Sequence, residues 1–125
     1  MTEEKQEKIF YMCTCGKDRA EMAHNPFVLA NVALAMDIQA TIVLSGDGVH
    51  IATPGYVDDM PPGGGFPPMK ELLASFLEQG GQLWVCGPCI KSRNIAETDL
   101  IKGSEVTAAG TVNLEAMAAD AVFVF

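Results

Sequence analysis

The residues of this sequence most able to do chemistry are its four cysteines, which come in two closely spaced pairs. Cys86 and Cys89 enclose a Gly-Pro dipeptide, and Cys13 and Cys15 are separated by one threonine. Two thiols separated by two residues can close a disulfide with little rearrangement, as in thioredoxin-like redox sites. The sequence therefore predicts thiol chemistry, with Cys86 as the reactive cysteine and Cys89 as the thiol that resolves an adduct on it.

The surroundings predicted for Cys86 favour a reactive thiol. It ends a short apolar segment typical of a strand, and a helix is predicted to begin just after it. Backbone N–H groups at a helix start stabilise a thiolate, so we expect the amides of Gly87 and Cys89 to face the Cys86 sulfur. Lys91 or Arg93 would add positive charge. The alternative is an ordinary buried cysteine at the end of a strand.

Two cysteine pairs also allow a four-thiolate zinc or iron–sulfur site. The Cys13-Thr-Cys15 spacing matches structural zinc less well than a second Cys-X-X-Cys pair would. Successive strand side chains also point to opposite faces of a sheet. The sequence therefore predicts neither a metal nor a cofactor, and a metal-binding module is kept as an alternative.

A single histidine before the first predicted helix is a further candidate. Asn25 is a good helix cap, Pro26 suits the first helical position, and the apolar residues that follow predict a buried helix ending near Asp37. His24 would then precede the cap, where it could transfer protons near the end of the first strand. A solvated histidine is the commoner case at such a position.

Apolar segments and helical patterns alternate along the chain, which predicts an α/β fold with parallel strands and helices on both faces. The predicted strands are residues 8–14, 40–45, 82–86, 105–108 and 121–125, and the predicted helices are residues 25–37, 69–79, a short one after 88, and 112–119. Such sheets hold their reactive groups outside the carboxyl ends of the strands. Both cysteine pairs and residues 46–48 map there. The Gly- and Pro-rich residues 49–68 predict a long irregular loop that could cover the site.

Length and charge restrict the function further. A chain of 125 residues predicts one domain over 1–125, with residues 1–7 as a disordered tail. The net charge of −8 argues against direct binding of nucleic acid. The apolar run 27–36 is too short to span a bilayer, and the charged N-terminus does not look like a signal peptide. We therefore expect a cytoplasmic protein.

Taken together, several segments resemble the DsrE/DsrF-like family of small sulfur-relay proteins. The matching segments, in order, are 25–36 (NPFVLANVALAM), 45–49 (SGDGV), 85–87 (VCG), 92–95 (SRNI), 99–101 (DLI) and 119–125 (ADAVFVF). The resemblance implies a three-layer α/β/α sandwich with a five-stranded parallel sheet, assembled as homotrimers or hexamers. It also implies that Cys86 receives sulfane sulfur from a donor protein as a persulfide and passes it to an acceptor protein.

The chain also departs from this family pattern. Many relay members use a lone cysteine at the position of Cys86, whereas Cys89 could here discharge a Cys86 persulfide to a disulfide and release sulfide. That reaction would make the protein a persulfide or thiol-disulfide reductase. Cys13 and Cys15 allow an internal transfer or a metal site, and a purely structural oligomeric module is the remaining alternative.

Overall fold

The computed structural model describes residues 6–125 and contains one sheet of five parallel strands. The strands are β1 (Lys8–Cys13), β2 (Gln39–Leu44), β3 (Gln82–Cys86), β4 (Ser104–Thr107) and β5 (Ala121–Val124). The α-helices are α1 (Ala20–Ala35), α2 (Met69–Glu78), α3 (Gly87–Ser92) and α4 (Ala109–Ala118). Elements of both kinds alternate as predicted. The central strand β2 is buried on both faces, whereas β4 and β5 are largely exposed.

The strand order is β4-β3-β2-β1-β5. Strands β1 to β4 therefore follow one another across the sheet, and β5 lies on the other side of β1. Connections between parallel strands are almost always right-handed. This places α1 and α2 on one face of the sheet and α4 on the other. The result is the predicted three-layer α/β/α sandwich.

The core lies mainly between the sheet and the pair α1 and α2. Strand residues of this face are buried in one cluster with both helices: Tyr11, Cys13, Ile42, Leu44, Leu83 and Val85. Phe27 of α1 meets Phe76 of α2 edge to face, with ring centroids 5.9 Å apart. Such a pair adds about 0.5–1.5 kcal/mol beyond its buried area. The core therefore fixes the sheet on one face and leaves the α4 face less densely covered.

The first helix begins earlier than the sequence indicates. The predicted cap at Asn25 and first position at Pro26 are wrong, because α1 starts at Ala20 and encloses Pro26. An interior proline removes one helical hydrogen bond and costs roughly 3 kcal/mol. Burial of Phe27 and Ala23 on the same helix offsets this cost. His24 is consequently a fully buried helical residue and not a solvated one before a cap.

The segment predicted as a long irregular loop over 49–68 differs from the structure in its first half. Two 3-10 helices cover Gly46–Ala52 and Tyr56–Asp59. Val49, Ile51 and Ala52 are buried, so apolar side chains impose regular turns despite the glycines and prolines. No α-helix or strand lies between Leu44 and Met69, and residues 60–68 have no regular element.

The predicted disordered tail of residues 1–7 falls mostly outside the described residues, which begin at 6. The backbone at Glu7 differs from that prediction, because its carbonyl accepts a hydrogen bond of 3.0 Å from the Gln39 amide and so continues the pairing of β1 with β2. Among residues 6–125, no helix is both long and apolar enough to cross a membrane.

Candidate functional site

The carboxyl ends of β1, β2 and β3 meet at one edge of the sheet, as parallel strands require. Directly after β2 the chain turns at Ser45, whose amide donates to the Cys13 carbonyl at 2.9 Å. Gly46 takes the left-handed conformation, with φ of 54°, which favours glycine. A Cβ on Gly48 would overlap the Cys13 carbonyl oxygen. These two glycines let the turn pack closely against the carboxyl end of β1. In this position the Gly46 amide points toward α3.

The Gly46 amide reaches the sulfur of Cys89. Its nitrogen lies 3.3 Å from Cys89 Sγ, and Ser45 Oγ lies 3.8 Å from the same sulfur. Burial, the largest influence, raises the pKa of the Cys89 thiol. Hydrogen bonds from Cys86, Gly46 and Ser45, together with the charge of Arg93, outweigh burial and hold that pKa below its ordinary value. Cys89 is therefore the thiol of the pair that ionises first.

Cys86 is the last residue of β3, and the pKa of its thiol is shifted in the opposite direction. Burial raises the pKa of its thiol above the ordinary value, and the hydrogen bond that this thiol donates to Cys89 acts in the same direction. The expected Cys89 amide does donate to Cys86, and it lowers the pKa only in part. These directions favour a thiolate on Cys89 over the one expected on Cys86. The pair holds its first negative charge on Cys89 and keeps the proton on Cys86.

The basic residues expected near the pair take different positions. Arg93 contacts the Cys89 carbonyl through Nη1 at 3.2 Å, and its Nε and Nη2 lie 3.1 and 3.0 Å from Asp47 Oδ1. Its charge favours both thiolates but is shared with Asp47. Lys91 is exposed and faces a groove on the other side of α3 with Ile95. Arg93 is the cation that acts on this site.

Gly87 lies beside the end of β4. A Cβ there would come within 3.4 Å of Val106 and 3.5 Å of the Thr107 carbonyl oxygen. Both are ordinary van der Waals distances, so packing alone does not require a glycine at this position. The predicted contact of the Gly87 amide with the Cys86 sulfur stays a prediction.

The side chains of Cys13 and Cys86 point to different faces of the sheet. Cys13 is in register with Leu44, and Leu44 with Val85, so all three side chains share the α1 face. Cys86 follows Val85 and therefore points to the opposite face. Burial raises the pKa of Cys13 to about 12, which makes it a poor nucleophile at neutral pH. The sheet itself separates the Cys13 thiol from the Cys86 thiol.

His24 is also held away from Cys86, on the α1 face. Its Nδ1 lies 2.6 Å from the Ala20 carbonyl oxygen, which makes Nδ1 the protonated nitrogen. Nε2 is buried without a hydrogen-bond partner among the described residues. Gly63 packs on the ring, since a Cβ there would overlap it. Within residues 6–125, no cluster of three or more histidine, cysteine, aspartate or glutamate side chains is arranged to hold a metal ion.

A cavity of about 200 Å³ opens beside the Cys86 thiol on the α4 face. It is bordered by the ends of β1, β2 and β3, the start of α3, and the passage from β4 into α4. Its lining residues are Met12, Val43, Ser45, Cys86, Pro88, Thr107, Ala108, Ala109, Val112 and Asn113. Cys86 is the cysteine of the pair that borders this cavity. A molecule bound there would therefore meet the Cys86 sulfur first.

The sequence placed residues 46–48 at this edge but assigned no role to Gly46 or to the preceding Ser45, which contact the Cys89 sulfur. It did not single out Thr107, which is in register with Cys86. The signal for the first two was the Ser-Gly-Asp-Gly turn directly after a buried strand, at the same edge as the cysteines. For Thr107 the only signal is its position at the end of β4, where it pairs with Cys86. A threonine ending a short strand is too common to be recognised from sequence alone.

Comparison with known proteins gives a family match over nearly the whole chain. The model of the DsrE/DsrF-like family matches residues 7–125. The chain is 35% identical over 95 residues to the uncharacterized protein MJ0989 of Methanocaldococcus jannaschii, covering 73% of each. It is 34% identical over 107 residues to the uncharacterized protein MJ0760 of the same organism. That match covers 86% of this chain and 38% of the relative, so the chain spans well under half of MJ0760.

Two solved structures share the fold. The YchN protein from E. coli matches with a TM-score of 0.80 at 22% identity, covering 96% of this chain and 100% of YchN. MTH1491, a protein of unknown function from Methanobacterium thermoautotrophicum, matches with a TM-score of 0.65 at 12% identity, covering 95% and 99%. At these identities the likeness concerns the fold alone. It confirms the predicted α/β architecture.

Proposed function

The chain belongs to the DsrE/DsrF-like family, and we propose that it is a sulfur-relay protein that carries sulfane sulfur as a persulfide on Cys86. The observation that carries this proposal is the position of the thiol pair. Cys86 borders a cavity at the sheet edge, and Cys89 Sγ, 3.3 Å from the Gly46 amide nitrogen, holds the thiolate beside it. A carrier needs a sheltered sulfur and a way to deprotonate it.

Loading begins with a proton transfer inside the pair. The Cys86 thiol, which donates a hydrogen bond to Cys89, gives its proton to the Cys89 thiolate. The Cys86 thiolate attacks the outer sulfur of a donor persulfide, R–S–SH. A bond forms between Cys86 Sγ and that sulfur, and the S–S bond of the donor breaks. The donor leaves as a thiolate and takes up the proton held by Cys89, so the products are R–SH and the Cys86 persulfide.

The second candidate function, a persulfide reductase, uses the same two cysteines. Here the Cys89 thiolate attacks Sγ of the Cys86 persulfide, the terminal sulfur leaves as hydrosulfide, and a Cys86–Cys89 disulfide forms. Two thiol sulfurs are oxidised and one sulfane sulfur is reduced, and a reducing partner must then reopen the disulfide. The hydrogen bond between the two sulfurs favours this possibility.

Retained sulfur decides between these functions. The protein is treated with a limiting amount of sodium tetrasulfide, desalted and measured as an intact mass. A carrier gains one sulfur atom per chain, and cyanide converts that atom to thiocyanate. A reductase instead loses two hydrogens and releases sulfide. A chain that gains no sulfur and forms no disulfide contradicts both functions.

The partners of a relay are a donor protein and an acceptor protein, and we propose both for this chain. The net charge of −8 disfavours direct contact with an acceptor RNA. We place the reaction in the cytoplasm, where glutathione and thioredoxin systems keep thiols such as Cys86 and Cys89 reduced. Neither a metal nor a cofactor enters the proposed steps.

We further propose that the protein assembles into homotrimers or hexamers through α4 and β5. In α4, Leu114 is 69% exposed and Met117 82%, and in β5, Val124 is 65% exposed. Among the strands of residues 6–125, β5 lies at one edge of the sheet and pairs with β1 alone. An apolar patch beside an open sheet edge is typical of an interface between subunits.

Met117→Glu should therefore shift the protein toward the mass of a single chain. Burying an unpaired carboxylate in an interface costs several kcal/mol, enough to dissociate subunits at micromolar concentration. Size-exclusion chromatography with light scattering gives the mass. Ala74→Glu adds the same charge at an exposed position of α2 and should leave the assembly intact. A wild-type protein that is monomeric, or a Met117→Glu oligomer of unchanged mass, would contradict this interface.

A further inference from the structure

The cavity beside Cys86 has no charged residue among the described residues that line it. Its walls are the apolar side chains of Met12, Val43, Pro88 and Val112 with two alanines, and its polar groups belong to Ser45, Thr107 and Asn113. Val43 is 1% exposed and forms the floor. The nearby cation, Arg93, is engaged by Asp47 outside the cavity. Such a site favours an uncharged, apolar ligand over an anion, because no charged side chain among its lining residues compensates the lost hydration of a charge.

Thr107 gives an independent sign that a ligand belongs here. It is in register with Cys86 on the neighbouring strand, so the two side chains point to the same face of the sheet. Thr107 Oγ1 is buried and has no hydrogen-bond partner among the described residues. Buried hydroxyls are nearly always paired, because an unpaired one loses its hydration without compensation. A sulfur atom brought to Cys86 would lie beside this hydroxyl.

From these observations we propose that the cavity binds the apolar part of a small uncharged thiol that exchanges sulfane sulfur directly with Cys86. The size limits the ligand to a short chain or small ring, because about 200 Å³ leaves no room for a peptide. Thr107 would bind the sulfur of this thiol, and Val112 and Met12 its carbon chain. The proposal rests on the carrier function of Cys86 and names a substrate class for it.

The exchange is balanced without an oxidant. The bound thiol R–SH loses its proton, and its thiolate attacks the outer sulfur of the Cys86 persulfide. A bond forms between that sulfur and the thiol sulfur, and the bond from Cys86 Sγ to the outer sulfur breaks. Cys86 leaves as a thiolate and takes up the proton, so R–S–SH and Cys86–SH result. The same path in reverse loads Cys86 from a small persulfide.

Two thiols of similar length test the proposal on the wild-type protein. Protein loaded from tetrasulfide is mixed with propanethiol or mercaptopropionate, and the loss of bound sulfur is followed by intact mass. Each rate is divided by that of the same thiol with glutathione persulfide in solution. Each buried methylene favours binding by about fourfold, so we expect propanethiol to discharge Cys86 at least about tenfold faster after this correction. Equal corrected rates would overturn the proposal.

Two substitutions locate the effect in the cavity. Val112→Phe fills the cavity and should remove the preference for propanethiol, so that both thiols discharge the persulfide of the variant at equal corrected rates. Thr107→Val removes the hydroxyl at constant shape and should slow the discharge by propanethiol several-fold, whereas Thr107→Ser keeps the hydroxyl and the rate. A preference that survives Val112→Phe would place the thiol elsewhere. If the wild-type protein does not load at all, the carrier function fails; if it loads without preference, only the cavity proposal fails.

Discussion

Cys86→Ser is expected to abolish the retention of sulfane sulfur and to leave the fold intact. The Cys86 sulfur is the one of the pair that borders the cavity, so a donor must approach it first. Serine is close to isosteric with cysteine, and Cys86 is only partly buried, so we expect the free energy of unfolding to change by less than about 1 kcal/mol. Intact mass after limiting tetrasulfide measures the loss, and circular dichroism checks the fold.

The control for this experiment is Cys15→Ser. Cys15 is buried with its sulfur 3.7 Å from Thr14 Oγ1, and it lies at the end of β1, apart from the cavity. Loss of sulfur retention in Cys86→Ser together with retention in Cys15→Ser would support Cys86 as the carrier. Retention by Cys86→Ser would instead transfer the role to Cys89, the residue with the lower thiol pKa.

The strands were predictable because their signal is local. Residues 82–86 were predicted as a strand, and β3 covers Gln82–Cys86; the other strands shift by a residue or so at their ends. Short apolar segments bounded by glycine and polar residues leave little choice of structure. The order β4-β3-β2-β1-β5 then follows from the chain reversing direction once, which a sequence pattern does not show.

The start of α1 could not be predicted, because local and tertiary signals disagree there. Asn25-Pro26 is an ordinary way to begin a helix, yet the structure continues the helix back to Ala20. The residues before Pro26 include Ala23 and His24, both fully buried. Packing of this extra turn against the core outweighs the weak preference of the local sequence.

The sequence indicated which cysteines form the candidate site, but it did not indicate which of them carries the negative charge. The Cys-X-X-Cys spacing predicted that Cys86 and Cys89 lie close together, because Cys89 is in the first turn of α3 and Cys86 directly precedes that helix. The group that stabilises the thiolate, the Gly46 amide, comes from the end of another strand, 43 residues earlier in the chain. A sequence pattern does not reveal which sulfur such an amide will meet, and the expectation that the thiolate resides on Cys86 followed from the nearer helix alone.

Cys89→Ser is expected to slow loading at neutral pH and to prolong the life of the persulfide that forms. In the wild-type protein the Cys89 pKa lies below its ordinary value, so Cys89 ionises more readily than a free cysteine and its thiolate can accept the Cys86 proton. In the variant, Cys86 must ionise alone, and burial holds its pKa above the ordinary value. One unit of pKa changes the thiolate fraction about tenfold, so we expect loading to slow by the factor that the pKa difference between the two thiols sets.

The rate of loading should depend on pH differently in the wild-type protein and in Cys89→Ser. Loading by the wild-type protein should persist as pH falls until the lowered Cys89 pKa is reached, whereas loading by Cys89→Ser should already decline at higher pH. Rates are measured by intact mass across pH with sodium tetrasulfide, and Cys89→Ala shows whether a hydroxyl partly replaces the thiolate. An unshifted profile would mean that Cys89 does not receive the Cys86 proton. A persulfide that survives no longer in Cys89→Ser than in the wild type would exclude attack by Cys89, and with it the reductase that uses Cys86 and Cys89.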